Sequence, residues 1–361
     1  MNRSSAISGA QLVTLLFISR IFDFLTYPSP GGSQISGTAA LAAFPVGIAL
    51  TALLLLPACF LLRENHGCGV VDCAYRYLGK AGGVPVALLM GIFALAVAAD
   101  TATGFAIFLS AGIYAGAPAW FLIVTLMGAA VYAASMGYEP MSRVSTLVFV
   151  GFWAAFLFMG VALLPEMDPV YLRPVVSGES GKFWMLCIRL ALGNTETVAL
   201  LFMISVINGK PSRCFWYWAG LLLAVLELVA LVSTMALGDY GSSQRFPFYA
   251  LTKIAEFSIF QRLDSLHTAL WIFMAFIKTS LYLRIAGEAL RFLLPAKGRG
   301  LVIPACGAAA AGTAIYFAGE PRWADRLSQT VKGGAPVVLL ALVLPALLLV
   351  LSRKKKRGEP Q

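Results

Sequence analysis

Gly193-Asn194-Thr195-Glu196-Thr197 interrupts an otherwise apolar run that begins near residue 183 and ends near 207. Glycine and asparagine are poor helix formers, and threonine bonds back to nearby backbone. A bilayer core of about 30 Å takes roughly 20 apolar residues to cross as a helix. A polar pentapeptide in the middle of such a run predicts a membrane helix that unwinds near mid-depth. The unwound turn would expose N–H groups at a new helix N-terminus, a setting suited to a carboxylate. The competing reading is a continuous helix whose polar face packs on a neighbour.

Nine more runs of similar character lie on either side of this one. The ten candidate spans are roughly 10–29, 39–62, 84–113, 119–136, 144–164, 183–207, 214–236, 264–285, 300–318 and 335–352. Hydrophobic residues make up 59% of the chain and charged residues 12%, and mean hydropathy is +0.82, which excludes an ordinary soluble domain. No polar stretch is longer than a loop. One transmembrane domain over 1–361 is expected, with halves at about 10–164 and 183–352 and a basic tail at 353–361. The first span carries Arg20 and Asp23 at its centre, too polar for a cleaved signal peptide.

Charges inside these spans point to function. Arg20, Asp23, Asp100, Arg189, Glu196, Glu227 and Lys278 all interrupt apolar segments. Each costs about 2.5–3.5 kcal/mol on insertion scales, so such groups face a cavity, a partner or a transport path. Seven of mixed sign predict a polar site at mid-membrane that binds or moves a small solute. Spans six and one are expected to line it, with Ser19, Arg20, Asp23, Asp100, Gly193, Asn194, Thr195 and Glu196 as candidate contacts. Arg20 and Asp23 are three apart on one helical face, and either neutralise each other or touch the solute. For Lys278 two readings stand: snorkelling to the interface, or a fixed internal cation bound to Asp23. Glu227 reads as a structural partner, and Arg189 as a group near the outer mouth.

With the N-terminus inside, sixteen Lys and Arg fall on the cytoplasmic side and eight, Lys332 among them, on the outer side. Both termini are therefore expected in the cytoplasm. The net charge of +10 is largely this bias, and the RKKKR at 353–357 holds a helix end at the anionic inner leaflet rather than binding nucleic acid. Loops 64–83 and 237–263 both carry apolar residues at helical spacing, on opposite faces, and predict interfacial helices. Their matching positions suit an inverted five-plus-five repeat, in which the first helix of each half is broken; spans one and six are the expected breaks. The second of these helices is expected to gate access from outside. Six scattered cysteines and two histidines predict no metal site and no cofactor. No nucleophile, P-loop or zincin motif supports an enzyme.

Three short stretches carry a resemblance. They are Ile7-Ser8-Gly9-Ala10-Gln11-Leu12 running into Phe17-Ile18-Ser19-Arg20, Gly137-Tyr138-Glu139-Pro140-Met141-Ser142-Arg143, and Gln261-Arg262-Leu263-Asp264 leading to Trp271-Ile272 and Phe276-Ile277-Lys278-Thr279-Ser280-Leu281. In order and spacing the chain resembles the spore-germination receptor B-subunit (GerAB-type) permease family of the amino acid–polyamine–organocation superfamily. The resemblance implies an all-α LeuT-like fold and residence in the inner membrane of a bacterial endospore. It also implies work beside a larger A subunit and a C lipoprotein, sensing an amino acid or another small nutrient. A proton- or sodium-coupled amino acid permease is the alternative. Family members often place a small residue where this chain has Ile21-Phe22-Asp23.

Overall fold

Ser8 and Gln11 start the first helix by a reciprocal cap, Ser8 N–H to Gln11 Oε1 at 2.9 Å and Gln11 N–H to Ser8 Oγ at 3.2 Å. This is the capping box written into Ser-x-x-Gln. The structure is a computed structural model that describes residues 7–26, 37–65, 68–114, 116–172, 180–208, 211–238, 240–244, 246–254, 263–291, 293 and 296–358. The Pro28–Gly32 turn signal, His66 and the Gln261-Arg262 pair lie outside them.

Along the chain, β1 (Ile7–Ser8) leads into α1 (Gly9–Thr26), α2 (Gly37–Leu54), α3 (Leu56–Glu64), α4 (Val70–Gly112), α5 (Ala119–Met136) and α6 (Tyr138–Leu163). The second half runs α7 (Ser180–Leu192), α8 (Glu196–Met203), β2 (Ile207–Asn208), α9 (Pro211–Leu237), α10 (Tyr240–Ser243), α11 (Pro247–Ile254) and α12 (Leu263–Arg291). It closes with α13 (Val302–Ala318), α14 (Pro321–Lys332), α15 (Ala335–Val337), a π-helical stretch Val338–Val343 and α16 (Leu344–Gly358). Ten stretches among the described residues are long and apolar enough to cross a membrane, and the chain is a multi-pass membrane protein.

β1 and β2 pair in parallel, Ile7 with Ile207 and Ser8 with Asn208. This clamp puts the start of α1 and the end of α8 at one membrane face, called here the tail side. Arg353 and Glu64 meet at that face, at 3.0 Å. Since α9 runs 27 residues away from it, α10 and α11 cap the opposite, far side.

Glycines decide two turns. Gly79 adopts φ 66° inside α4, a left-handed value open to glycine at no steric cost. It separates the helix from Val70 to Leu78 from the span that follows, and so makes the interfacial helix expected in the 64–83 loop. Val70, Val71 and Ala74 bury its inner face. Gly137, at φ 108°, joins α5 to α6 and turns Tyr138 inward against Glu288, whose Oε2 accepts its hydroxyl at 3.1 Å.

Three expectations are corrected. The first span has no break within the described residues: α1 is continuous from Gly9 to Thr26, and no glycine or proline between Ala10 and Thr26 favours one. The tenth span begins earlier than 335. It starts with α14, whose Arg322, Asp325, Arg326 and Gln329 conceal it in a hydropathy reading, while Ala324, Leu327 and Val331 bury one face. Gly333-Gly334 then interrupts it, with Gly334 at φ 95°. The described residues of the 237–263 loop form two short helices rather than one, and α11 packs on α12, α1 and α9.

Candidate functional site

α7 ends where Gly193 N–H bonds the Arg189 carbonyl at 2.8 Å, and α8 restarts at Glu196. Between them the chain is held locally, with Thr197 N–H and Oγ1 reaching the Asn194 carbonyl at 3.2 and 2.7 Å. Space demands glycine at 193, since a Cβ there would lie 2.8 Å from the Arg189 oxygen and 3.2 Å from the Lys332 oxygen. At Gly334 a Cβ would sit 2.7 Å from the Leu192 Cβ. The interrupted spans six and ten therefore touch break to break.

Six charges converge at that contact. Lys278 Nζ lies 2.6 Å from Asp23 Oδ2 and 2.6 Å from Glu196 Oε1, and donates to the Ser19 carbonyl at 3.3 Å. Lys332 Nζ stands 2.8 Å from Asp100 Oδ2 and 3.2 Å from Asp23 Oδ1. Arg20 Nη1 donates to the Gly193 carbonyl at 2.9 Å and is 3.9 Å from both Asp23 and Glu196. Ser19 Oγ donates to Glu196 Oε1 at 2.8 Å, and Thr195 Oγ1 reaches Oε2 at 3.3 Å. Three acids and three bases make one connected, formally neutral network.

The Lys278 side chain is 0% exposed, halfway along α12, with both carboxylates at 2.6 Å. Its ammonium also faces the Tyr282 ring at 5.5 Å. Two charges gain from the helices that carry them: Glu196 opens α8 and Lys332 closes α14. Each terminus contributes about 0.3–1 kcal/mol, rising to about 2 in partly buried settings.

Every residue expected at the solute site sits at or beside this network, although Asp100 joins it only through Lys332. Lys332 was read as an outer-loop charge. Its signal was there in Lys332-Gly333-Gly334, a cation beside a helix-breaking pair just before an apolar run. Arg189 is exposed on α7, and Glu227 is half-buried on α9; neither is among the six converging charges.

Aromatic side chains close the far side. Trp271, two turns from Lys278 on α12, stacks on Phe105 at 5.5 Å and 5°, contacts Phe108 at 4.2 Å and Phe22 at 5.1 Å, and donates to Thr26 Oγ1 at 2.6 Å. Above it Phe108 meets Phe246 and Tyr249, so α11 rests on this layer. His267 lies near the start of α12 against Phe248 at 5.0 Å. It borders a cavity of only about 30 Å³ that Leu25, Phe152 and Met274 also line.

Not every polar atom at the break is used. Asn194 Oδ1 at the break, and Thr279 Oγ1 beside Lys278 on α12, are buried with no hydrogen-bond partner among the described residues. A buried polar atom left unpaired costs about 1–3 kcal/mol.

The family described as spore germination protein matches residues 45–320. Among solved structures, that of a Na+-coupled sialic acid symporter, substrate-bound and outward-open, is similar with a TM-score of 0.66. Identity is 13%, over 93% of this chain and 78% of that one. The likeness shows the fold, a ten-helix LeuT-like transporter architecture. No curated protein sequence matches.

Proposed function

The chain belongs to the spore germination protein family, and from that premise we propose that it is the membrane subunit of a nutrient germinant receptor that binds an amino acid at the network of Ser19, Arg20, Asp23, Asp100, Asn194, Glu196, Lys278 and Lys332. Its family and fold are those of membrane permeases. The two halves, about 10–164 and 183–352, act as repeats around this site. The protein resides in the spore inner membrane with both termini in the core, and works beside an A subunit and a C lipoprotein.

One observation carries the reading. The network is charge-balanced, largely buried, and built on the break of span six, where Asn194 Oδ1 has no hydrogen-bond partner among the described residues. A solute with one amino and one carboxylate group can exchange for internal partners without leaving net charge in low dielectric. A monovalent ion of either sign cannot. The amino group would take the place of a cation at Glu196 or Asp23, and the carboxylate would take an N–H group at the α8 terminus or the Arg20 guanidinium. Competition between internal and ligand partners lets binding shift a conformational equilibrium, which is how a permease fold signals. Lys278, held between Asp23 and Glu196, supplies a positive charge internally.

A coupled amino acid permease uses the same pocket, and the distinction is experimental. Spores lacking this chain should lose their response to one amino acid, while vesicles containing the chain alone should not concentrate that amino acid. Concentrative uptake driven by a proton or sodium gradient would replace the receptor reading with the permease one.

A further inference from the structure

On the tail side, about ten residues along α12 from Lys278 and hence roughly 15 Å away, lies a second and larger cavity. Its volume is about 290 Å³, and it is lined by Gly69, Val70, Val71 and Asp72 of the interfacial helix start, Phe202 and Ser205 after the span-six break, and Glu288, Arg291 and Arg299. We propose that this cavity is a binding site for a phosphate group, separate from the solute site.

With Arg284 set against Glu288, the lining carries a net positive charge. Glu288 is paired with Arg284, at 2.6 Å, and accepts the Tyr138 hydroxyl. Asp72 caps the helix, its Oδ2 accepting the Gly69 N–H at 3.1 Å, and its single charge is outnumbered by two arginines. These are Arg291 and Arg299, and the Arg291 Nε is buried with no hydrogen-bond partner among the described residues. The backbone N–H groups of Val70 and Val71 stand in the first helical turn, where no intrahelical acceptor exists. Both arginines and the start of this helix line one cavity. A phosphate, with several acceptor oxygens and a charge near two, suits two guanidinium forks and a helix N-terminus better than a single carboxylate does.

The apolar wall of Phe202, Val70 and Val71 leaves room for the carbon portion of a phosphate ester. Two sources share this chemistry: the headgroup of an anionic phospholipid, and a soluble phosphate.

The test uses the purified full chain. Thermal unfolding is followed in detergent with inorganic phosphate against chloride at equal ionic strength, and in nanodiscs of phosphatidylcholine with and without phosphatidylglycerol. The variants are Arg291→Gln and the exposed Arg299→Gln. Arg143→Gln, a surface arginine paired with Glu139, serves as control. The proposal expects a saturable rise in the midpoint with phosphate or with phosphatidylglycerol. Half-saturation should move about tenfold or more in each arginine variant and stay unchanged in Arg143→Gln. Response to soluble phosphate identifies a free ligand, and response to phosphatidylglycerol alone identifies a lipid headgroup. If chloride matches phosphate and phosphatidylglycerol adds nothing, or if Arg299→Gln and Arg291→Gln respond as the wild type does, the site does not exist.

Discussion

Replacing Lys278 with methionine keeps the length of the side chain and removes the cation that joins spans one, six and eight. At an effective dielectric constant near 20, an ion pair at 2.6 Å is worth roughly 6 kcal/mol of gross attraction, and Lys278 makes two. Its own desolvation offsets much of that gain. After the change Asp23 retains Lys332 at 3.2 Å and Arg20 at 3.9 Å, while the one charged partner left to Glu196 in the network is Arg20, at 3.9 Å. The site then holds three acids and two bases. Glu196, fully buried, then loses its 2.6 Å ion pair. Breaking a buried pair by removing one partner typically costs about 3–5 kcal/mol, and this loss is expected in that range. Chemical denaturation in detergent, with tryptophan fluorescence as readout, measures it. Lys278→Met/Glu196→Gln restores neutrality and should recover at least about 2 kcal/mol of the loss, because coupled neighbours are not additive. The reasoning fails if Lys278→Met is within about 0.5 kcal/mol of wild type, the range of an ordinary surface change. It fails equally if the double variant is no more stable than the single one.

Lys332→Met should destabilise less than Lys278→Met under the same denaturation, by about 1–3 kcal/mol, since Lys332 is partly exposed and Asp23 keeps Lys278. Gly334→Ala places a Cβ at φ 95° and 2.7 Å from Leu192; it should cost about 1–3 kcal/mol, whereas Gly220→Ala, which meets nothing within 4 Å, should be neutral or stabilising. Trp271→Ala removes the stacked centre of the far-side layer, costs about 3–5 kcal/mol, and should raise the labelling rate of Ser19→Cys by a membrane-impermeant thiol reagent; an unchanged rate would show that this layer is not the barrier.

What could be read from the residues and what could not divide along physical lines. Span six announced its break because Gly193-Asn194 and two threonines stand inside an apolar run, where nothing else accounts for them. Lys278 announced a buried partner because an isolated ammonium in such a run must be paired, and Asp23 was the expected one. Glu196 as its second partner was not foreseen, since sequence spacing does not carry the distance between helices. The first span was expected to break by analogy with its counterpart, yet it contains no residue that disfavours helix between Ala10 and Thr26. The break lies instead at Gly333-Gly334, hidden because α14 is amphipathic and its polar face lowers its hydropathy below that of a span. Lys332 was misplaced for the same reason. The Ser8–Gln11 and Gly137-Tyr138 stretches were quoted as a likeness; in the structure one caps α1 and the other turns α5 into α6.

The central claim is that the internal charge network is the amino acid site of a germination receptor subunit. Equilibrium binding of the germination-triggering amino acid to the assembled receptor, wild type against Glu196→Gln, tests it most directly. Glu196→Gln should retain assembly and lose affinity by about tenfold or more, the loss expected when a hydrogen bond to a charged group is removed. Unchanged affinity in a fully assembled Glu196→Gln receptor would place the ligand elsewhere and contradict the account.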